Sequence, residues 1–283
     1  MTEPMNFFDP PPLRYMGAKW QLSKWVSEQF PPHKIYVEPY CGSAAIFFRK
    51  QRTEVEVLND LNKDLVHFFR MLRTAPDALI NAIELTPCSV EEYHESWEPA
   101  FDPIERARRF YIRCWQSFSS DTVTKSGWRR STSLSRNSTT AQDWKRLDGL
   151  RKAVDLLKCA QIDSLPALDC IQRYDSRNTL FYLDPPYVHA TRKSLRHQYI
   201  HEMSDADHQL LAQTLHQIEG MAIISGYDCP LYQDLYAGWR MESKSNTTNG
   251  NSTPTEYLWI SPNTDKRWQE VRPTMLFTSE VQR

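Results

Sequence analysis

The chain has 283 residues, 40% of them hydrophobic and 24% charged, with a formal net charge of −1. This length suits one large α/β domain with an insertion or two small domains, and the near-neutral balance excludes a polycation, so any nucleic-acid surface is a local patch. Six scattered cysteines without CxxC spacing argue against a zinc site or a disulfide framework, and no apolar stretch approaches the roughly 20 residues of a membrane span.

The first ten or so residues, ending in Pro10-Pro11-Pro12, read as a frayed tail, and no basic segment followed by an apolar run marks a secretory signal. Spacing predicts a helix from Trp20 to Phe30, stopped by Pro31-Pro32. A short strand over Lys34 to Glu38 leads through a turn into a helix over Ala44 to Lys50. A second strand, Val55 to Asn59, precedes a helix from Leu61 to Arg73 with apolar Leu65, Phe68, Phe69 and Leu72. This alternation is the first half of a doubly wound α/β sheet. Helical patterns follow over Asp77 to Tyr93, Ile104 to Trp115 and Ala141 to Cys159, with a Ser/Thr-rich loop between the last two. Strands are expected near Cys159 to Ile162, at Thr179 to Leu183, at Met221 to Ser225 and at Glu256 to Ser261. A helix is expected over Asp205 to Ile218 and a polar loop over Asn246 to Thr255. The expected division is a catalytic domain of residues 1–74 and 156–283 with residues 75–155 inserted as a recognition module. Nine tryptophans and thirteen tyrosines supply rings of the kind that stack on bases, though most are expected in the core.

Three segments carry chemistry. The strand Thr179 to Leu183 runs into Asp184-Pro185-Pro186-Tyr187. Open α/β sheets bind ligands at the carboxyl ends of their strands. Asp184 and a prolyl carbonyl there form a stiff fork of acceptors beside the flat ring of Tyr187, an arrangement suited to a planar –NH₂ group. Accepting both N–H bonds pushes electron density toward a nitrogen whose lone pair is otherwise delocalised into a base. Aimed acceptors then stabilise the developing charge. A strand end followed by a plain Pro turn is the alternative. Val37-Glu38-Pro39-Tyr40-Cys41-Gly42-Ser43 joins the first strand to its helix, where small residues let a ligand approach the backbone and the helix N-terminus offers free N–H groups. It also suits an ordinary βα turn. Leu58-Asn59-Asp60-Leu61-Asn62 places an acid about 20 residues beyond the first turn, as ribose hydroxyls require; capping of the next helix is the alternative.

Together these residues resemble the Dam-type DNA adenine-N6 methyltransferases over nearly the whole chain. Arg14-Tyr15-Met16-Gly17-Ala18-Lys19 is similar to the family's N-terminal cofactor motif, Glu38 to Ala44 to its E-P-F-x-G-x-G motif, and Asp184 to Tyr187 to its catalytic tetrapeptide. The resemblance makes Asp60 the ribose-binding acid. It also sets Cys159 to Asp163 against the cofactor's adenine, Ser225-Gly226-Tyr227-Asp228 in a further active-site loop, and Glu256 to Ile260 in the last strand. Two positions depart: Tyr40 replaces the Phe, and Ala44 replaces the second Gly, which is compatible with close approach if its φ is negative. The resemblance implies a Rossmann-like fold, catalytic residues Asp184, Pro185, Pro186 and Tyr187, and a cofactor site of Tyr15, Gly17, Lys19, Glu38, Pro39, Tyr40, Gly42, Asp60, Asp163 and Asp184. It further implies S-adenosylmethionine as methyl donor, adenine in double-stranded DNA as acceptor, and no metal. The target base is flipped out of the duplex. No covalent intermediate is needed, so Cys41 is not expected as a nucleophile.

From Ile104 to Lys152 there are twelve Lys/Arg against four acids, a local excess of +8 in a chain of net −1. Such segregation suits phosphate, and Arg113, Lys125, Trp128, Arg129, Arg130 and Arg136 are the expected contacts, with Arg192 and Lys193 beside the tetrapeptide. A solvated basic face is the alternative. His201, Glu202 and His208 do not have metal-ligand spacing. No obligatory protein partner is evident, and a cytoplasmic enzyme of bacterial or phage origin is expected. Whether a restriction nuclease accompanies it stays open. Cytosine-N4 methylation, or DNA binding by an inactive methyltransferase fold, remain the competing functions.

Overall fold

The structure is a computed structural model that describes residues 11–131, 140–192, 200–248 and 251–278. The expected tail over residues 1–10, Arg136 and Lys193 lie outside the described residues. In chain order the strands are β1 (Ile35–Glu38), β2 (Val55–Asn59), β3 (Ala160–Asp163), β4 (Thr179–Leu183), β5 (Met221–Gly226), β6 (Arg240–Thr248) and β7 (Asn251–Ile260). The helices are α1 (Ser23–Ser27), α2 (Lys63–Thr74), α3 (Pro76–Glu84), α4 (Val90–Glu95), α5 (Pro103–Gln116), α6 (Thr140–Trp144), α7 (Asp148–Lys158), α8 (Ala167–Tyr174), α9 (Asp205–Gln217), α10 (Pro230–Leu235) and α11 (Pro262–Thr278). Among the described residues no helix is long and apolar enough to cross a membrane, and no three His, Cys, Asp or Glu side chains converge as a metal site.

The chain forms two compact bodies. One takes in Met1–Lys24, Gly42–Gln51 and Asp60–Ser164; the other takes in Trp25–Cys41, Arg52–Asn59 and Leu165–Arg283. The first is mainly helical. Asn62 caps α2 by accepting from the N–H groups of Asp64 and Leu65. The apolar stripe of α2 (Leu65, Phe68, Phe69 and Leu72) is fully buried, and Phe68 stacks on Tyr111 of α5 at 5.7 Å. Asp102 caps α5, with Pro103 opening it. The buried Trp144 indole donates to the Thr86 carbonyl at 2.8 Å, which ties α6 to the end of α3.

The second body contains a sheet in the order β2-β1-β4-β5-β7-β6. β1 pairs in parallel with β2 and β4, and β4 with β5; β7 runs antiparallel to β5 and to β6. Strands β4 and β5 are buried along their whole length, as central strands covered on both faces must be. The chain leaves β1 for β2 on one side and reaches β4 on the other, so the carboxyl ends of β1 and β4 flank a topological switch point. Glu38 and Asp184 stand at those two ends. This is the Rossmann-like α/β class that the sequence implies.

Several boundaries differ from expectation for local reasons. The helix expected over Trp20 to Phe30 shrinks to α1, because the Trp20 carbonyl is taken by the Ser23 hydroxyl and the Arg49 guanidinium, each at 2.8 Å. Ala44 to Lys50 forms successive turns rather than a helix, and Ala44 sits at φ 54°. The left-handed region disfavours a Cβ by about 1–2 kcal/mol. Ala44, at the position where the resembled family has glycine, thus does not meet the condition of a negative φ under which it would allow close approach. Of the polar stretch expected as a loop over Asn246 to Thr255, residues 246–248 and 251–255 fall instead within strands β6 and β7, and residues 249–250 lie outside the described residues.

One buried histidine gives the second body a pH dependence. His208 in α9 is fully buried, and its Nδ1 lies 3.2 Å from the Tyr232 hydroxyl of α10. Burial pushes the imidazole down to about 4 from 6.5, against the opposing pull of Asp205. The unfolded chain thus takes up a proton that the folded chain refuses, and stability falls as pH drops from 6.5 toward about 4. The expected loss is about 3 kcal/mol at most. Urea unfolding across this window should show the fall in wild type and a flatter profile in His208→Asn.

Candidate active site

The first body assembles one group of the expected residues around the loop that begins at Gly42. Gly42 lies at φ 47°, and a Cβ placed there would touch the Tyr15 ring at 3.6 Å. Its N–H donates to Asp60 Oδ2 at 3.0 Å, while the Asn62 N–H donates to Oδ1 at 2.8 Å. The Asp60 carboxylate is thus oriented by two backbone donors. Asn62 also donates its side-chain amide to the Tyr15 hydroxyl at 3.0 Å. Burial, with the charge of Asp60 adding to it, pushes the Tyr15 phenol well above the ordinary tyrosine range, so it stays neutral. The Asp60 N–H donates to the Asp163 carbonyl at 3.4 Å, which brings the end of β3 to the same place. Lys19 is nearly buried, and its ammonium donates to the Gly17 carbonyl at 3.2 Å.

The second body assembles the other group at the carboxyl ends of its parallel strands. Asn59 closes β2 with a fully buried side chain. Its amide donates to the carbonyls of Pro39 and Leu165 at 2.9 and 3.0 Å and accepts from the Leu165 N–H at 2.8 Å. That pins the Glu38-Pro39-Tyr40 turn. Glu38 itself is buried and accepts from the Tyr36 hydroxyl at 2.7 Å. After β4, Asp184 is half-buried, while Pro185, Pro186 and Tyr187 are buried. The Ser225 hydroxyl at the end of β5 donates to Asp184 Oδ1 at 2.9 Å and so fixes the carboxylate.

Tyr187 is held at several points. Its hydroxyl donates to Glu256 of β7, and its carbonyl accepts from Arg192 Nε at 2.7 Å. Arg192 in turn donates to Glu202 at 2.6 Å. The Tyr227 ring meets the Tyr187 ring edge-on at 4.8 Å and 82°. Burial, reinforced by the charges of Asp184 and Glu256, raises the Tyr187 phenol well above its usual range. The ring is therefore neutral and its hydroxyl is a donor. Tyr227 also lines an open cavity of about 560 Å³, with Thr191, Asp228, Cys229, Pro230 and Tyr257 among its walls. That volume is within the range of small-molecule sites.

The basic stretch looks different once folded. Arg106 and Arg113 both pair with Asp64, Arg108 with Glu105 and Glu92, Arg109 with Glu105, and Arg129 with Asp143. Asp64 and Glu92 lie outside the stretch that counts as +8 and lower it to +6, while Glu105 and Asp143, already counted, pair with Arg108, Arg109 and Arg129. Trp128 donates its indole N–H to Gln116 at 3.0 Å, in a small antiparallel bridge between Ser117 and Trp128. Lys125, Arg130, Lys145 and Arg146 are exposed. Sequence reasoning places Glu256 only in a strand and assigns it no role. A lone acid on the face of β7 shared with buried Leu258 and Ile260 is the signal that could have found it.

A mostly parallel sheet with an Asp-Pro-Pro-Tyr turn at its switch point is of the Rossmann-like α/β class. The chain belongs to the D12 class N6 adenine-specific DNA methyltransferase family, whose model matches residues 15–249. It is similar to the DNA adenine methylase of Vibrio cholerae (strain ATCC 39541), with 32% identity over 69 residues, and that match spans only 24% of each chain. The DNA adenine methylase of Escherichia coli K12 matches at 24% identity over 105 residues, covering 35% of this chain and 37% of its own. That of Haemophilus influenzae matches at 31% over 71 residues, 25% of this chain and 24% of its own.

Proposed function

We propose that the protein methylates the exocyclic N6 amine of adenine in double-stranded DNA, with S-adenosylmethionine as the methyl donor. The observation that carries this reading is the Asp184 carboxylate at the end of β4, held by Ser225 beside a neutral aromatic ring, in a chain of this family. The first body offers a donor set that fits the cofactor. Tyr15 supplies an aromatic surface, the glycine turn at Gly42 an open backbone, and Asp60 a fixed acceptor for ribose hydroxyls. Asp163, Gly17, Lys19, Glu38, Pro39 and Tyr40 complete the proposed cofactor residues. When bound, the cofactor supplies an electrophilic methyl group.

The chain's own residues do the rest. Asp184 and the Pro185 carbonyl accept the two N–H bonds of the amine and concentrate electron density on nitrogen. Pro186 stiffens the turn. Tyr187 stacks on the base, which is flipped from the duplex at a cost of a few kcal/mol, roughly matched by 1–3 kcal/mol of stacking. Since only 7% of Tyr187 is exposed, its neighbours open as the base enters. Residues 75–155 serve as the recognition module. Exposed Lys125 and Arg130 are its direct phosphate contacts. Arg113, Arg129 and Trp128 act there by holding the module's shape, and Arg192 by holding Tyr187. A DNA substrate of this kind implies a cytoplasmic site of action. Incubating the purified protein with duplex DNA and methyl-labelled S-adenosylmethionine, then digesting to nucleosides, tests the proposal. The label is expected in N6-methyladenine. Label in N4-methylcytosine, or none in DNA, would overturn it.

A further inference from the structure

Strand β7 turns a regular face toward the core. Glu256, Leu258 and Ile260 alternate on it, and all three are buried. Leucine and isoleucine suit that environment. A carboxylate does not, because removing it from water costs several kcal/mol unless it gains partners of comparable strength. One partner here is the Tyr187 hydroxyl, 69 residues earlier in the chain, at the last position of the tetrapeptide. The same tyrosine is fixed by its carbonyl through Arg192, whose side chain is only 4% exposed. Its ring edge meets Tyr227. With its backbone held, Tyr187 can still turn about its side-chain torsions. The hydroxyl bond to Glu256 removes that freedom.

We propose that Glu256 is a positioning residue for the methyl-transfer step, acting through Tyr187 by anchoring its phenol and so fixing the plane on which the base stacks. The inference rests on the adenine-methylation reading above. A stacked base whose plane tilts moves its amine out of line with the acceptors, and misplacement of this order slows the chemical step far more than it weakens binding. The bond is neutral-to-charged in kind, and such bonds are stronger than neutral ones. Gln at this position keeps a carbonyl acceptor of nearly the same reach, whereas Ala keeps none.

The test is a double-mutant cycle on the full chain, with kcat and KM measured on duplex DNA and methyl-labelled S-adenosylmethionine, and cofactor binding measured by equilibrium dialysis. E256A is expected to lower kcat by roughly ten- to a hundredfold, the equivalent of one lost hydrogen bond to a charged group. KM and cofactor binding should stay near wild type, and E256Q should stay within about threefold. Y187F should fall as E256A does, and adding E256A or E256Q to Y187F should change little further. Wild-type kcat in E256A overturns the inference alone, as does a loss in E256Q equal to that in E256A, or simple additivity with Y187F. Should E256A fail to fold, Y187F decides: unchanged kcat there is equally contrary. A wild-type chain that labels no adenine overturns the adenine reading and this inference with it.

Discussion

Asp184→Ala is expected to reduce methyl transfer to DNA by about 10³-fold or more, in the range seen when an aimed transition-state group is removed from a water-excluded site. The chain should still fold. Asp184 is half-buried at a strand end, and its replacement leaves β4, a fully buried central strand, intact. The hydrogen bond from Ser225 goes with it. That hydroxyl also lies 3.3 Å from the Leu183 carbonyl, so it keeps an acceptor after the change. KM for the cofactor should move much less than kcat, since the lost acceptor acts on the amine and not on the nucleoside. Steady-state kinetics with a thermal melt alongside measures both. Loss of the cooperative melt would mean the residue is structural, and retained kcat would mean that the amine is activated by something else.

Asn59→Ala is expected to produce the largest loss of stability, about 3 kcal/mol. The side chain is fully buried and makes three bonds to the main chain: to the Pro39 carbonyl, the Leu165 carbonyl and the Leu165 N–H. Removing it leaves the buried Pro39 carbonyl and the half-buried Leu165 carbonyl and N–H without this side-chain partner, each costing up to about 1–3 kcal/mol less what relaxation or entering water returns. For a chain of this length 3 kcal/mol corresponds to a fall in Tm of about 6–12 °C. The effect should also reach function, because Asn59 fixes the Glu38-Pro39-Tyr40 turn. Weaker cofactor binding is expected even well below the melting temperature. Calorimetry and equilibrium dialysis on the same preparation check the pair of effects. An unchanged Tm would mean that the Pro39 turn is held by other contacts.

The parts of the fold legible in the sequence are those specified locally. Val55 to Asn59 is a strand with the expected limits, because its apolar run ends on an Asn that has no place in a strand interior. The strand before Asp184 is equally plain, five residues that are all buried. The proposed catalytic turn needs no distant partner to be recognised: an apolar strand, a carboxylate and two prolines suffice. What escaped depends on distance along the chain. Glu256 acquires its role from Tyr187, and the excess of positive charge between Ile104 and Lys152 is reduced by Asp64, 42 residues before Arg106 and 49 before Arg113. A window of sequence counts charges but not the partners that fold back onto them. The failed helix at Ala44 has a different cause. Its residues favour a helix, yet the loop requires a left-handed backbone at Ala44. The polar residues of β6 and β7 hide their strand character, because the pairing that makes them strands lies between segments and not within either one.

Charge pairing also changes what the proposed recognition module is expected to do. An ion pair at the surface contributes about 0–1 kcal/mol to stability. Arg113, however, is only 13% exposed, with Asp64, the Ser96 carbonyl and the Trp97 ring around its guanidinium. Such a group holds helices together and has little left to offer a phosphate. Direct DNA contact then rests on fewer side chains than a count of lysines and arginines suggests.

The central claim is that Asp184 and its turn direct a methyl group to the amine of adenine. Sequencing modified bases in the DNA of cells that express the chain, beside cells that express Asp184→Ala, tests it most directly. N6-methyladenine should accumulate with the wild-type chain and be absent with the variant. N4-methylcytosine, or N6-methyladenine at equal levels in both, would contradict the account.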